Sequence, residues 1–161
     1  MIQFRKIEPR DFATVAALED ENWNSHSTPV EMHSSADKIL ENVLKGVQYL
    51  LATDEETDEI LGILDFHVKH GMSAGSHVAT FGLMTVEKAR HRGIAHELLG
   101  DFIVLAREEK FRKLSIEVLA GNTAAITLYE SFDFVLEGCL KDEFYLDGHY
   151  VDNLWYGKSL I

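Results

Sequence analysis

The sequence predicts one mixed α/β domain spanning residues 1–161, and three observations carry that reading. Apolar residues alternate with polar ones in some segments and recur at helical spacing in others, so strands and helices interleave. The resulting order is β-α-α-β-β-β-α-β-α-β-β, with no linker, repeat or low-complexity segment to divide it. Hydrophobic residues make up 46% of the chain and prolines number two, which supplies a core and argues against disorder.

Each element has a local cause. "MIQFRKI" alternates and reads as a strand. "PRDFATVAALEDENW" places Pro9 near a helix start, with Phe12, Val15, Ala16 and Leu18 at helical spacing. "NSHSTPVEMHSS" is polar and irregular and reads as a loop, and "SADKILENVLKG" as a second helix ending near Gly46. "VQYLLAT" and "ILGILDFHV" are strands around the acidic turn "DEETDE". After the Gly/Ser loop "KHGMSAGSH", the apolar run "VATFGLMTV" is expected to be a strand buried on both faces. From Ala95, the residues Leu98, Leu99, Phe102, Ile103, Leu105 and Ala106 mark a third helix. "KLSIEVLA" is a strand, and "NTAAITLYESF" a short helix that Asn122 can cap. "FVLEGCL" and "YVDNLWYGKSL" are strands, and the Asp-Gly pair of "LDGH" marks a tight hairpin turn.

Fifteen basic residues against 27 acidic ones give a net charge of −12. That excludes general nucleic-acid binding and docking on anionic membranes, both of which need a basic footprint. Acidity permits cationic partners such as amines or basic peptides, and it also serves solubility. No apolar run reaches the roughly 18 residues of a membrane-spanning helix. No signal-peptide pattern opens the chain, and Cys139 is the only cysteine. A cytoplasmic protein is expected.

Against this acidity, "VEKARHRGIAHELL" gathers Lys88, Arg90, His91 and Arg92 around Gly93, just before a helix. The first N–H groups of a helix lack partners within it, and the helix dipole adds positive potential there. Glycine lets a ligand approach the backbone closely. A strand, a basic glycine-containing turn and a helix therefore make an anion site, with a diphosphate as a suitable anion. The plain alternative is a solvated helix start with incidental basic residues. Neither the Walker A pattern nor the dinucleotide Gly-x-Gly-x-x-Gly fingerprint occurs.

Arg90-x-x-Gly93-x-Ala95 resembles the Arg/Gln-x-x-Gly-x-Gly/Ala acyl-CoA pyrophosphate loop of the GNAT superfamily of N-acetyltransferases. The loop follows a strand ending in "LMTV" and precedes an apolar-striped helix. Downstream, "IEVLAGNTAAITLYESFDF" resembles the family's strand, Asn-initiated helix and "LYE-x-x-GF" segment. "YLDGHYVDNLWYGKSL" looks like the final hairpin of branches that include ribosomal-protein and phosphinothricin-type acetyltransferases. The resemblance implies a mixed, mostly antiparallel sheet with helices on both faces. It departs at Asp133, where the family often has glycine.

What the resemblance implies about the site follows residue by residue. The backbone of Met84, Thr85 and Val86 would pair with the pantetheine amides like an added strand. That strand and the one containing Ile116 would splay apart to admit the cosubstrate. The N–H groups of His91, Arg92, Gly93, Ile94, Ala95 and His96 would cradle the pyrophosphate, with Arg90 shaping the loop. Asn122 would contact the pantetheine arm, and Tyr129 would protonate the departing thiolate. The implied reaction is acetyl transfer from acetyl-CoA to an amine, a small molecule or a protein N-terminus, by direct attack in a ternary complex. A homodimer is part of the family picture. The rival class is an acyl-CoA-binding module without catalysis.

The residues themselves leave alternatives open. Tyr129 can simply pack beside Leu128 and Phe132, and Asn122 can simply cap its helix. A primary amine must lose a proton before attack, and Glu31, Asp65, His77 and Glu117 are all candidate bases. His67, His70 and His77, or His91 and His96, fit no zinc pattern, so no metal is expected. The "HSTPVEMHSS" segment and the C-terminal hairpin are expected to wall the acceptor pocket.

Overall fold

A computed structural model describes residues 1–161. The elements are β1 (Ile2–Lys6), α1 (Phe12–Asn22), α2 (Ala36–Leu44), β2 (Gln48–Asp54), β3 (Ile60–Val68), β4 (Val78–Thr85), α3 (Ile94–Glu108), β5 (Lys113–Leu119), α4 (Thr123–Ser131), β6 (Val135–Leu146) and β7 (His149–Ser159). Their order is the one the sequence predicts. Ser35 caps α2 by accepting from Lys38 N–H, and Asn122 caps α4 by accepting from Ala125 N–H. Asp147 and Gly148 both take positive φ (51° and 85°) in the β6–β7 turn, as a tight Asp-Gly hairpin requires.

The seven strands form one sheet in the order β1-β2-β3-β4-β5-β7-β6. All neighbours are antiparallel except β4 and β5, which are parallel. That parallel pairing covers only Val78–Thr80 against Lys113–Ser115. Beyond it the two strands have no shared ladder, so the sheet is parted over Phe81–Thr85. β4 is buried at Val78, Ala79, Phe81 and Met84, residues that belong to both of its faces, as expected.

Strand alternation sorts the two layers. On β3, Leu64 and Phe66 face α3, where the Phe66 and Phe102 rings lie 4.8 Å apart. Gly62 shares that face, and a Cβ there would come within 3.1 Å of Ile94 and 3.3 Å of Leu98. The missing side chain lets the first turn of α3 settle directly on the sheet. Phe81 continues the layer, with ring centroids 5.2 Å from Phe102, 5.7 Å from Tyr129 and 5.9 Å from Phe134. The opposite face carries Tyr49 and its cross-strand neighbour Asp65, with α1 and α2 above them. The Tyr49 hydroxyl accepts from Asn42 of α2 at 2.9 Å. Arg5 joins β1 to the turn before α1 through Asp11 (2.7 Å) and to the β2–β3 turn through Asp58 (3.1 Å).

β6 differs from its expected length. The sequence pattern ends at Leu140, but the strand runs to Leu146 through two register irregularities. Its reason is position: β6 is the sheet edge and is exposed along most of its length, so no buried face imposes alternation. The charged "KDE" stretch sits at the second irregularity, a pattern that blunts an edge strand.

Candidate functional site

The stretch before α3 has unusual backbone accounting. His91 and Gly93 take positive φ (62° and 77°), which turns successive N–H groups toward one side. None of the six N–H groups from His91 to His96 has a hydrogen-bond partner in the protein. Glu97 N–H is the first to enter the helix, donating to the Gly93 carbonyl. Lys88 is held by Glu59, while no carboxylate pairs with Arg90 or Arg92. Six orphan donors and two unpaired guanidiniums meet at a helix N-terminus. That is an anion cradle at a parted sheet.

A cleft of about 610 Å³ opens from this cradle. Met84, Thr85, Arg90, His91, Gly93, Ile94, Ala95, His96, Asn122 and Tyr129 all line it. Val86 and Arg92 do not: Val86 is buried beside a separate depression, and Arg92 is exposed. The far wall comes from the end of α1 and the loop after it, at Asn22, Trp23, Asn24, His26 and Ser27. His26 and Ser27 open the "HSTPVEMHSS" segment named above as a wall of the acceptor pocket, whereas Asn22, Trp23 and Asn24 were not singled out, because the end of a helix and a polar loop carry no periodicity to mark them.

The β4 edge can be read from its ladder with β3. Val86 N–H donates to the Leu61 carbonyl, and Met84 sits opposite Ile63 in the same hydrogen-bonding phase. The backbone groups of Met84 and Val86 therefore turn to β3. Those of Leu83 and Thr85 turn toward the parted side. Within the expected segment Met84–Val86, only Thr85 offers its backbone to a ligand, and Leu83 joins it.

Asn122 uses its side-chain oxygen to cap α4, at 3.3 Å from Ala125 N–H, and its amide nitrogen has no protein partner. Tyr129 is 5% exposed, and its hydroxyl has no hydrogen bond within the protein. Burial, reinforced by the Asp65 carboxylate, raises its phenol above the ordinary range, so it stays protonated. Asp133 ends α4 in the left-handed region (φ 63°), which completes the turn that the family forms with glycine.

The candidate bases are scattered. Glu31 is highly exposed and pairs with His33. His77 is exposed before β4, and Glu117 is exposed on β5 opposite Trp155. Asp65 is half-buried in the middle of β3, lying against Gly82 of β4. Burial, then the charge of Glu19 on α1, pushes its carboxyl up to about 7. Glu19 is itself raised by burial and accepts from the Ser34 hydroxyl at 3.0 Å. A second cleft of about 540 Å³ meets the first at His26 and is walled by Ser25 and the β6–β7 hairpin. Ser25 is tied to that hairpin through Asp147 at 2.5 Å. No group of three or more His, Cys, Asp or Glu side chains is placed to hold a metal ion. No helix is long and apolar enough to cross a membrane.

The site is thus a run of unpartnered N–H groups beside a parted seven-stranded sheet, and comparison with known proteins places the fold. The family model for the acetyltransferase (GNAT) domain matches residues 4–155. The chain belongs to the GNAT family of acetyltransferases. It is 25% identical over 160 residues to the L-amino acid N-acetyltransferase AaaT of Escherichia coli K12, covering 98% of this chain and 97% of that protein. A crystal structure of a Streptococcus mutans UA159 protein superposes with a TM-score of 0.92 at 31% identity, over 99% of both chains. A phosphinothricin acetyltransferase from Sinorhizobium meliloti, solved with acetyl-CoA, shares the fold at a TM-score of 0.90 and 18% identity, covering 98% of this chain and 88% of its own.

Proposed function

We propose that this acetyltransferase moves the acetyl group of acetyl-CoA to the nitrogen of an amine, by direct attack within a ternary complex. The run of six unpartnered N–H groups from His91 to His96 carries the reading, because a diphosphate needs several donors converging at once. Arg90 flanks the cradle inside the cleft. Leu83 and Thr85 extend the edge of β4 to the pantetheine amides, in the place that β5 leaves open. The Asn122 amide nitrogen donates to the same arm. An N–H on this edge, from Leu83 or Thr85, stabilises the oxyanion of the tetrahedral intermediate. Tyr129 gives its proton to the departing thiolate. Cys139 is exposed on the edge strand β6, away from the cleft, which favours direct attack over an acyl-enzyme.

The acceptor enters past His26, where the acidic second cleft meets the first. Asp142 and Asp147 line that approach and suit a cationic amine, while Asp152 beside them is paired with Lys141 at 3.0 Å. The similarity to an L-amino acid N-acetyltransferase makes L-amino acids the first acceptors to try. A cytoplasmic location and a homodimer belong to the same reading; the single free cysteine supports the first and the exposed edge of β6 the second.

The test is acetyl-CoA-dependent thiol release across L-amino acids, N-terminal peptides, polyamines and aminoglycosides. Selective release names the acceptor class; silence from a protein that binds CoA removes the enzymatic reading. Gly93→Glu tests the cradle. A Cβ at Gly93 meets no atom within 4 Å, so the new carboxylate has room, and it would point at the diphosphate. CoA affinity is expected to fall at least ~100-fold, the cost of ~2.7 kcal/mol or more for opposed charge in place of donors. Gly93→Ala is the control for the positive φ alone.

A further inference from the structure

The donor cleft differs in charge from the rest of the molecule. The chain carries 27 acidic residues, yet no Asp or Glu lines this cleft. Its lining holds Arg90 and three of the chain's eight histidines: His26, His91 and His96. His91 and His96 stand at the two ends of the run of unpartnered N–H groups, while His26 stands on the far wall. Elsewhere in the chain His33 faces Glu31 at 3.5 Å, and His149 faces the Asp147 carbonyl at 3.2 Å. Neither cradle imidazole has such a partner.

The His96 ring packs on Phe132 of α4, with centroids 4.5 Å apart and planes at 42°. His91 holds a left-handed backbone (φ 62°) at the turn that aims the following N–H groups. The charges nearby are cationic or lie outside the cleft. In the loop itself Arg90 and Arg92 are unpaired, Lys88 is held by Glu59, and Glu87 borders a separate depression. On α3, Glu97 follows His96, and consecutive helical residues do not face each other. On α4, Glu130 accepts from the Tyr156 hydroxyl at 2.9 Å, and Asp133 lies in the exposed turn past Phe132. β4 presents Leu83, Met84 and Thr85, none of them charged. A bound diphosphate is therefore the group that would supply the opposite charge to an imidazolium in this cleft.

We propose that the His91 and His96 side chains bind the diphosphate of the acetyl donor as imidazolium ions, so that the donor enters together with protons. This inference rests on the acetyl-transfer reading above. The family resemblance assigns the cradle its main-chain N–H groups; the two rings add ionisable donors to those fixed ones. Imidazole is the side chain that changes charge near neutral pH. Charge-assisted hydrogen bonds to phosphate oxygens are stronger than neutral ones, so protonated rings hold the anion better. By linkage, protons raise the affinity for the donor and the donor raises the affinity for protons. Donor affinity therefore falls as the pH rises through neutrality. The acceptor has the opposite need, because an amine attacks only after losing a proton. The two demands confine turnover to a window of pH, and the alkaline limb of kcat/KM for acetyl-CoA belongs to the cradle. Protons taken up with acetyl-CoA return to solvent when CoA leaves, so none is consumed.

Calorimetry tests this without turnover. The probe is acetyl-dephospho-CoA, which keeps the diphosphate and lacks the 3′-phosphate and free thiol that titrate on their own. It is titrated into the protein near pH 7 in buffers of different ionisation enthalpy, and the slope of observed heat against that enthalpy counts the protons. Net uptake on the order of one proton is expected. Affinity should fall ~10-fold or more between pH 6 and pH 8. Binding with no proton exchange overturns the proposal and leaves the acetyl-transfer reading standing. Failure of both acetyl-dephospho-CoA and acetyl-CoA to bind sinks that reading, and the proposal with it.

Variants assign the protons to residues. His91→Asn suits the left-handed backbone, which Asn tolerates, and His96→Gln keeps a good helix former on α3. Both positions are exposed, so neither change disturbs the core. Each should lower the uptake. The double variant should show none, with an affinity that is flat with pH and ~10-fold or more weaker near pH 6. His26→Gln is the control: it removes the third imidazole of the cleft and should leave the uptake unchanged. Uptake that survives the double variant, or that vanishes in His26→Gln, places the protons elsewhere and overturns the proposal.

Discussion

The ring of Tyr129 packs in the core while its hydroxyl, at the wall of the cleft, makes no hydrogen bond within the protein. A phenylalanine would fill the same space against Phe81 and Phe134 without the unpaired oxygen. Tyr129→Phe is therefore expected to leave the melting temperature unchanged or raised. Its kcat should fall ~100-fold, the usual scale for a lost proton donor, while CoA affinity holds. Unchanged turnover would make Tyr129 a packing residue, the plain alternative its sequence allows. At this scale the sequence is legible where chemistry is local. The His91–His96 donors are orphaned by a helix start that the sequence marks, and Asn122 both caps α4 and faces the cleft. Glu19 was not legible. It sits among "LEDEN" as one acidic helix residue of several, and only the fold brings it beside Asp65, 46 positions on.

Among the elements, α3 matters most, because its first turn holds the anion cradle. Its height above the sheet is set by Gly62 on β3, where a Cβ would press on Ile94 and Leu98 at 3.1 and 3.3 Å. Gly62→Val should lift that turn, cost ~1–3 kcal/mol by overpacking, and weaken CoA binding although it lies outside the cradle. Calorimetric affinity and a thermal melt separate the two effects. Lost stability with intact affinity would mean that the cradle is held by its own loop. Order and type of elements were readable because each has a buried face that enforces its period. The length of β6 was not, since an exposed edge enforces none. The parting of β4 from β5 followed only from family resemblance, because it depends on where a non-local pairing stops.

For the whole molecule, two carboxylates with opposite shifts shape the dependence of stability on pH. Asp11 is held below the ordinary range by Arg5, so its stabilisation is present above about pH 4 and is lost as the pH falls through its lowered folded value. Asp65 has the reverse sign. Its folded value of about 7 exceeds the unfolded ~3.9, so the folded state binds more protons across that window. Stability from this group is full below about pH 4, declines as the pH rises toward 7, and stays lost above. The two together place the most stable condition on the acid side of neutrality, where the net charge of −12 is also partly neutralised. Asp65→Asn removes the Asp65 penalty. Its melting temperature should match wild type near pH 4.5 and exceed it at pH 8. Asp101→Asn, an exposed and unpaired position on α3, controls for the loss of one negative charge. If both variants gain equally at pH 8, the effect is general repulsion. If only Asp65→Asn gains, the protein holds a desolvated carboxylate at a cost in stability.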